Sequence, residues 1–114
     1  MSEEKITQIC LDSLEDSKAE NILSLDVKGI SSFADTIIIA TASSNRHAKS
    51  MSNKLIEEVK ENNLEIIGSE GSIDSGWVLV DCGSVIVNLM RSETRDFYDL
   101  EGLWGENTLL PVNS

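Results

Sequence analysis

The residue types able to do chemistry are few in this chain, and they are scattered. His47 is the only imidazole among the 114 residues, and it follows Arg46 just after Ser43-Ser44-Asn45. A serine hydrolase needs a base beside a serine held on a strained strand-to-helix turn, and neither Ser43 nor Ser44 sits in a G-x-S-x-G elbow. Paired carboxylates can hold magnesium for phosphoryl or nucleotidyl transfer, and the candidates are Asp74 with Asp81, or Asp96 with Asp99. The second pair lies three residues apart on an expected helix and shares a face, but Arg95 beside it favours an exposed charged surface over a metal site. No G-x-x-x-x-G-K-[ST] loop or G-x-G-x-x-G fingerprint is present to cradle phosphates. Cys10 and Cys82 form no C-x-x-C and belong to no His/Cys cluster of zinc spacing, and Cys82 reads as an exposed turn residue. No metal or cofactor is expected, and catalysis has little footing.

The stretch richest in signal runs from Gly76 to Trp104. Two β-branched apolar runs, Trp77 to Asp81 and Ser84 to Met90, flank Cys82-Gly83, a pair suited to a two-residue hairpin turn because Gly accepts positive φ. Alternation along the strands sets Val78, Val80, Val85, Val87 and Leu89 on one face. Trp77, Leu79, Asp81, Ile86, Asn88 and Met90 fall on the other. The first face is plain core, whereas the second mixes an aromatic, a carboxylate, an amide and a thioether, a combination that suits a contact surface. Trp77 and Trp104 each read as core aromatics or as anchors for a partner. Arg46 and His47 read as solvated first-turn residues or as side chains aimed at a partner from the mouth of the sheet.

These residues need elements to position them. Ile6, Ile9, Cys10 and Leu14 recur at helical spacing behind Glu3 and Glu4, which favour a helix start. Leu23, Leu25 and Val27 alternate as a short strand. Asp35 to Ala42 is apolar on both faces, as expected of a central strand beside the first. Ser43, Ser44 and Asn45 offer N-caps to a helix whose apolar face is Ala48, Met51, Leu55, Ile56 and Val59, and Asn62-Asn63 ends it. Leu64 to Gly68 reads as a further strand, Ser69 to Gly76 as a loop, and Ser92 to Trp104 as a helix through Phe97, Leu100, Leu103 and Trp104. The helical crossover after Thr41 implies a parallel pair and the hairpin an antiparallel one, so the expected fold is a single α/β domain with a mixed sheet flanked by helices. Residues 1–105 form that domain, and residues 106–114 are expected to be a loose tail.

Charge narrows the range of partners. The net charge is -11, and residues 57–114 carry 12 acids against 3 bases. Such a surface repels phosphates and favours a basic protein, although acids also serve solubility alone. No secretion-signal pattern opens the chain, and its longest strongly apolar run, Ile37 to Ala40, is too short to cross a bilayer. A cytoplasmic protein with reduced cysteines is expected, one that buries roughly 65% of its unfolded surface.

Two blocks of the sequence carry a resemblance. G-W-V-L-V-D-C-G-S-V-I-V-N-L-M followed by R-D-F-Y-D-L-E-G-L-W, and upstream L-D-V-K-G-I-S-S-F-A-D-T-I-I-I-A-T-A-S-S-N-R-H, resemble the ribosomal silencing factor family, also called Iojap-like proteins. The resemblance implies a nucleotidyltransferase-like fold without transferase activity. It also implies a binding module that attaches to ribosomal protein fourteen of the large ribosomal subunit and blocks joining of the small subunit when nutrients run short. The family's D-x-G-D-V-x-V-H block falls on Asp81 to Asn88, with Ser84 where Asp is usual and Asn88 where His is usual. Ser44, Arg46 and His47 match its S-x-R-[QH] element. Arg95, Tyr98, Leu100, Glu101, Leu103 and Trp104 match its R-x-x-Y-x-L-E-x-L-W ending. The partner surface implied is basic, which agrees with the acidic half of the chain. The expected partner-binding residues are Trp77, Leu79, Asp81, Asn88, Met90, Arg46, His47 and Tyr98, with no dominant nucleic-acid contact and no membrane.

Two other readings use the same residues. A metal-dependent nucleotidyltransferase follows from the implied fold alone, but no Asp-x-Asp pair occurs in the chain and fold does not carry activity with it. A self-associating acidic adaptor, a homodimer, would pair the mixed hairpin face with its twin.

Overall fold

The computed structural model describes residues 3–29, 34–71, 76–98 and 109–110. In chain order the elements are α1 (Glu3–Asp16), β1 (Glu20–Asp26), β2 (Thr36–Ala42), α2 (Asn45–Glu61), β3 (Gly68–Glu70), β4 (Trp77–Asp81), β5 (Val85–Arg91), α3 (Ser92–Tyr98) and β6 (Leu109–Leu110). The strands make one mixed six-stranded sheet in the order β3-β4-β5-β2-β1-β6.

β2 is buried along its whole length, as a strand apolar on both faces must be. It pairs antiparallel with β1 on one side and parallel with β5 on the other, from Thr36↔Val85 to Ala42↔Arg91. The parallel pair is therefore closed by a long crossover: α2 carries the chain to β3 at the far side, and the β4–β5 hairpin returns it to the centre. β1 is irregular near its start, where Asn21 and Ile22 stand between the pairs Glu20↔Thr41 and Leu23↔Ile39, so two residues oppose Ala40 alone. Asn21 takes φ 49° there.

α1 and α2 cover one face of the sheet. Cys10 and Leu14 of α1, with Ala48, Met51, Leu55 and Val59 of α2, pack against Ile38, Ala40, Val80, Val85, Val87 and Leu89. Ser44 caps α2: its backbone is extended at φ -160°, and its hydroxyl accepts a hydrogen bond from the His47 N–H at 3.0 Å. The opposite face holds a smaller cluster of Leu25, Val27, Ile37, Ile39 and Met90, with Trp77 packed against it. α3 packs against β2 and β5, and its Arg95 donates to the Asn21 carbonyl of β1 at 2.5 Å and to Thr41 Oγ1 of β2 at 2.8 Å. Arg95 thus satisfies a carbonyl in the irregular stretch of β1. Only 7% of it is exposed, so it does not join the solvated charged surface expected around Asp96.

Three features differ from the sequence expectation. The strand expected over Leu64 to Gly68 begins only at Gly68, because Leu64 and Ile66 turn inward against the helix-side core before the backbone reaches β4. The hairpin loop is Gly83-Ser84, one residue later than expected, since Cys82 still pairs with Val85 through a 2.9 Å hydrogen bond to its carbonyl and Gly83 supplies φ +87°. Cys82 consequently keeps the alternation of Val78 and Val80 and is buried on the helix side, not exposed at the tip. Within the stretch expected to be a loose tail, Leu109 and Leu110 pair with Leu25 and Ser24 of β1.

Candidate functional site

The two faces of the hairpin separate as alternation requires, and the second face is the one that carries unusual chemistry. The register places Trp77 opposite Met90, Leu79 opposite Asn88 and Asp81 opposite Ile86. Trp77 and Asn88 form a polar bridge on this face, with the indole Nε1–H donating to Asn88 Oδ1 at 2.9 Å. Asn88 is only 3% exposed and Met90 is fully enclosed. Neither presents surface in this conformation; Met90 belongs to the core cluster, and Asn88 holds the half-buried Trp77 in place.

Towards the hairpin tip the same face opens. Ile67, Gly68, Glu70, Leu79, Asp81 and Ile86 line an open depression of about 300 Å³ between β3, β4 and β5. Its apolar side includes Ile67, which is 64% exposed and stands out among the large hydrophobic residues described. Its acidic side is Glu70, exposed on β3, and Asp81, half-buried at the end of β4. Asp81 is held in place because its Oδ1 accepts from the Gly83 N–H at 2.9 Å, so turn and carboxylate are fixed together. Ser84, the next residue of the turn, works through its carbonyl, which accepts from the N–H groups of Asp35 and Thr36 at 2.8 and 3.1 Å. That role is indifferent to the side chain, which explains why a residue other than Asp is accommodated there.

Arg46 and His47 lie elsewhere. They begin α2, on the helix-covered side of the sheet, and Arg46 is exposed. Both ring nitrogens of His47 are used within the fold: Nδ1 accepts from the Ser43 N–H at 2.9 Å and stands 3.1 Å from Ser43 Oγ, and Nε2 lies 2.7 Å from the Ser17 carbonyl. Through these contacts the imidazole ties the residue after α1 to the start of α2. The Tyr98 side chain, Asp74, Asp99 and Trp104 lie outside the described residues. So does Asp99-Leu100-Glu101, an Asp-x-Glu spacing that motif reading passed over. Among the described residues, no three His, Cys, Asp or Glu side chains come together as a metal site.

Ile67 and Glu70 are the members of the depression that sequence reasoning missed. The signal lay in the acidic, turn-rich stretch before the hairpin, but only pairing of Gly68 with Asp81 and Glu70 with Leu79 brings it to this face.

Comparison with known proteins decides the family. The family model described as ribosomal silencing factor during starvation matches residues 1–114. The chain belongs to the ribosomal silencing factor family. A ribosomal silencing factor of Chromobacterium violaceum is 40% identical over 105 residues, covering 92% of this chain and 86% of the relative. The Bacillus subtilis ribosomal silencing factor is 34% identical over 113 residues, 99% of this chain and 96% of its own. A crystal structure of a Chromobacterium violaceum protein superposes with a TM-score of 0.89 at 37% identity, covering 100% of this chain and 93% of that one. Ribosomal silencing factors are regulatory, ribosome-associated proteins of translation, and a ribosome-associated silencing role follows for this chain. Among the described residues no helix is long and apolar enough to cross a membrane.

Proposed function

We propose that this silencing factor binds the large ribosomal subunit in the cytoplasm through ribosomal protein fourteen, and that its bulk then prevents the small subunit from joining when nutrients are short. The observation that carries the reading is the depression beside the hairpin, apolar at Ile67, Leu79 and Ile86 and acidic at Glu70 and Asp81. Such a surface fits a protein segment that pairs an aliphatic side chain with Lys or Arg, and it disfavours phosphate. The net charge of the C-terminal half adds long-range attraction towards a basic partner. Trp77, Leu79 and Asp81 supply the contact, and Asn88 and Met90 support it from within. Arg46, His47 and Tyr98 are assigned no more than a peripheral share. The nucleotidyltransferase-like sheet serves as a scaffold in this reading, with no transfer step assigned to it.

Sucrose-gradient co-sedimentation with purified subunits tests the proposal. The protein is expected to travel with large subunits and to lower the yield of joined ribosomes. Asp81→Lys is expected to weaken association by about 1 kcal/mol or more, at least fivefold. Asp81→Asn separates the causes, because it keeps an acceptor for the Gly83 N–H while removing the charge. Protein left at the top of the gradient with large subunits present would end the proposal. A second reading, a homodimer that hides the same face, draws on exposed Ile67 beside β3. Light scattering with and without the ribosomal partner distinguishes a competing dimer from an independent one.

A further inference from the structure

Gly68 is a glycine that its backbone does not require. Among the described residues the glycines that take positive φ are Gly29, Gly71, Gly76 and Gly83, and Gly68 is not one of them. A Cβ at Gly68 would meet no atom beyond its chain neighbours within 4 Å. Neither a turn nor close packing therefore explains a residue that weakens a strand and gives it nothing to pack with. What the missing side chain provides is an opening. In the register of β3 and β4, Gly68 stands directly opposite Asp81, and Asp81 stands opposite Ile86 on β5. Directly opposed residues on one face of a sheet normally cover one another, their Cβ atoms being ~4.5–5.5 Å apart. β3 is the outermost strand on this side of the sheet, so at this position the way from the sheet edge to Asp81 lies uncovered.

We propose, resting on the docking reading of the depression, that Gly68 is a specificity-determining gap that admits one lysine or arginine side chain of a protein partner across β3 to the Asp81 carboxylate. Each part of such a side chain has a counterpart. Its aliphatic stem passes over Gly68 onto Leu79 and Ile86, which line the depression with it. Its charged head reaches Asp81, whose Oδ1 is fixed by the Gly83 N–H at 2.9 Å and whose Oδ2 is left to the incoming donor. Glu70 adds a second negative charge on the same face of β3, since it lies two residues from Gly68 and opposite Leu79. Diagonal neighbours across an antiparallel pair are ~7–8 Å apart, so one cation between Glu70 and Asp81 is within reach of both. An acidic side chain is repelled here, and an aliphatic one covers the half-buried Asp81 without neutralising it.

The test measures co-sedimentation of the full chain with purified large ribosomal subunits, alongside urea midpoints of the unbound proteins. Gly68→Val is expected to keep or raise the urea midpoint, because a β-branched residue suits a strand, and to weaken binding about tenfold. Gly68→Ala adds only the methyl for which there is room and should bind with intermediate affinity. Ser69→Val, on the helix-side face opposite Val80, should bind within about twofold of the parent. A cycle with Asp81→Asn separates a blocked approach from a distorted strand. Once that charge is gone, Gly68→Val should cost no more than about twofold in binding. If Val lowers the urea midpoint, Gly68→Ala in the same cycle decides the matter. Gly68 variants that bind like the parent overturn the proposal, and so does a loss that persists undiminished in the Asp81→Asn background. The docking reading survives both outcomes, since the parent still binds. Parent protein left at the top of the gradient ends the docking reading and the gap with it.

Discussion

Replacing Asn88 by Ala tests whether the mixed face of the hairpin is a built feature or an incidental one. The side chain is 3% exposed, and its Oδ1 receives the Trp77 indole N–H at 2.9 Å on a partly buried part of the sheet. Removing the acceptor costs the desolvation of that donor, ~1–3 kcal/mol for a buried group, and the partial exposure of Trp77 puts the value in the lower half, ~1–2 kcal/mol. With an m value of ~1–2 kcal/mol/M expected for a chain of this size, the urea midpoint falls by ~0.5–2 M. Circular dichroism in urea reads this without depending on tryptophan emission. A double-mutant cycle with Trp77→Phe isolates the bond, since Phe keeps an aromatic ring and loses the donor. The expected coupling is ~1 kcal/mol, the double variant being less destabilised than the sum of the single ones. Strict additivity, or an Asn88→Ala midpoint equal to that of the parent, would refute the reasoning. Asn88→Asp keeps an oxygen acceptor but buries a charge, and it should destabilise more than Ala does.

Other outcomes follow from single contacts. Leu55→Ala empties a fully buried position on α2 and should cost ~2–5 kcal/mol in the same urea experiment. A Cβ at Gly71, where φ is +105°, would come within 2.1 Å of the Trp77 carbonyl oxygen, so Gly71→Ala should destabilise by ~1–3 kcal/mol and move the start of β4. Arg95→Met keeps length but gives up the bonds to Asn21 and Thr41; a loss of ~1.5–3 kcal/mol, with faster amide exchange near Asn21, is expected. Ser44→Ala removes the N-cap of α2 and should lower the thermal midpoint by an amount equivalent to ~1 kcal/mol, whereas Ser44→Thr should restore most of it.

Local pattern was enough for much of the fold. The alternation of Trp77 to Met90 assigns each hairpin residue to its face, and the observed clusters separate along that line. The β-branched run of Asp35 to Ala42, apolar on both faces, marks a central strand, and Ser44 marks the start of α2. Where pattern failed, a long-range partner had decided. Nothing local distinguishes Leu64 to Ile67 as coil, because Leu64 and Ile66 are captured by the helix-side core before the backbone pairs with β4. Likewise no local rule draws Arg95 inward, since the carbonyl that it satisfies belongs to Asn21 in a distant and irregular strand.

The same division holds for the candidate site. Sequence alone determined the chemistry available: one imidazole, two thiols, a hairpin with one mixed face, and an acidic C-terminal half, together with the blocks that carry the family resemblance. Residue types and their period are local properties, and they survive without coordinates. Tertiary structure decided which of those groups face outward and which are consumed within the fold. It left Leu79 and Asp81 beside Ile67 and Glu70 in an open depression, enclosed Met90 and Asn88, and engaged both nitrogens of His47 between two helices. It also enclosed Cys10 and Cys82 in one core cluster. The reason is physical: burial and contact depend on strand order and on crossovers spanning tens of residues, and a periodicity of two or of 3.6 contains no information about either.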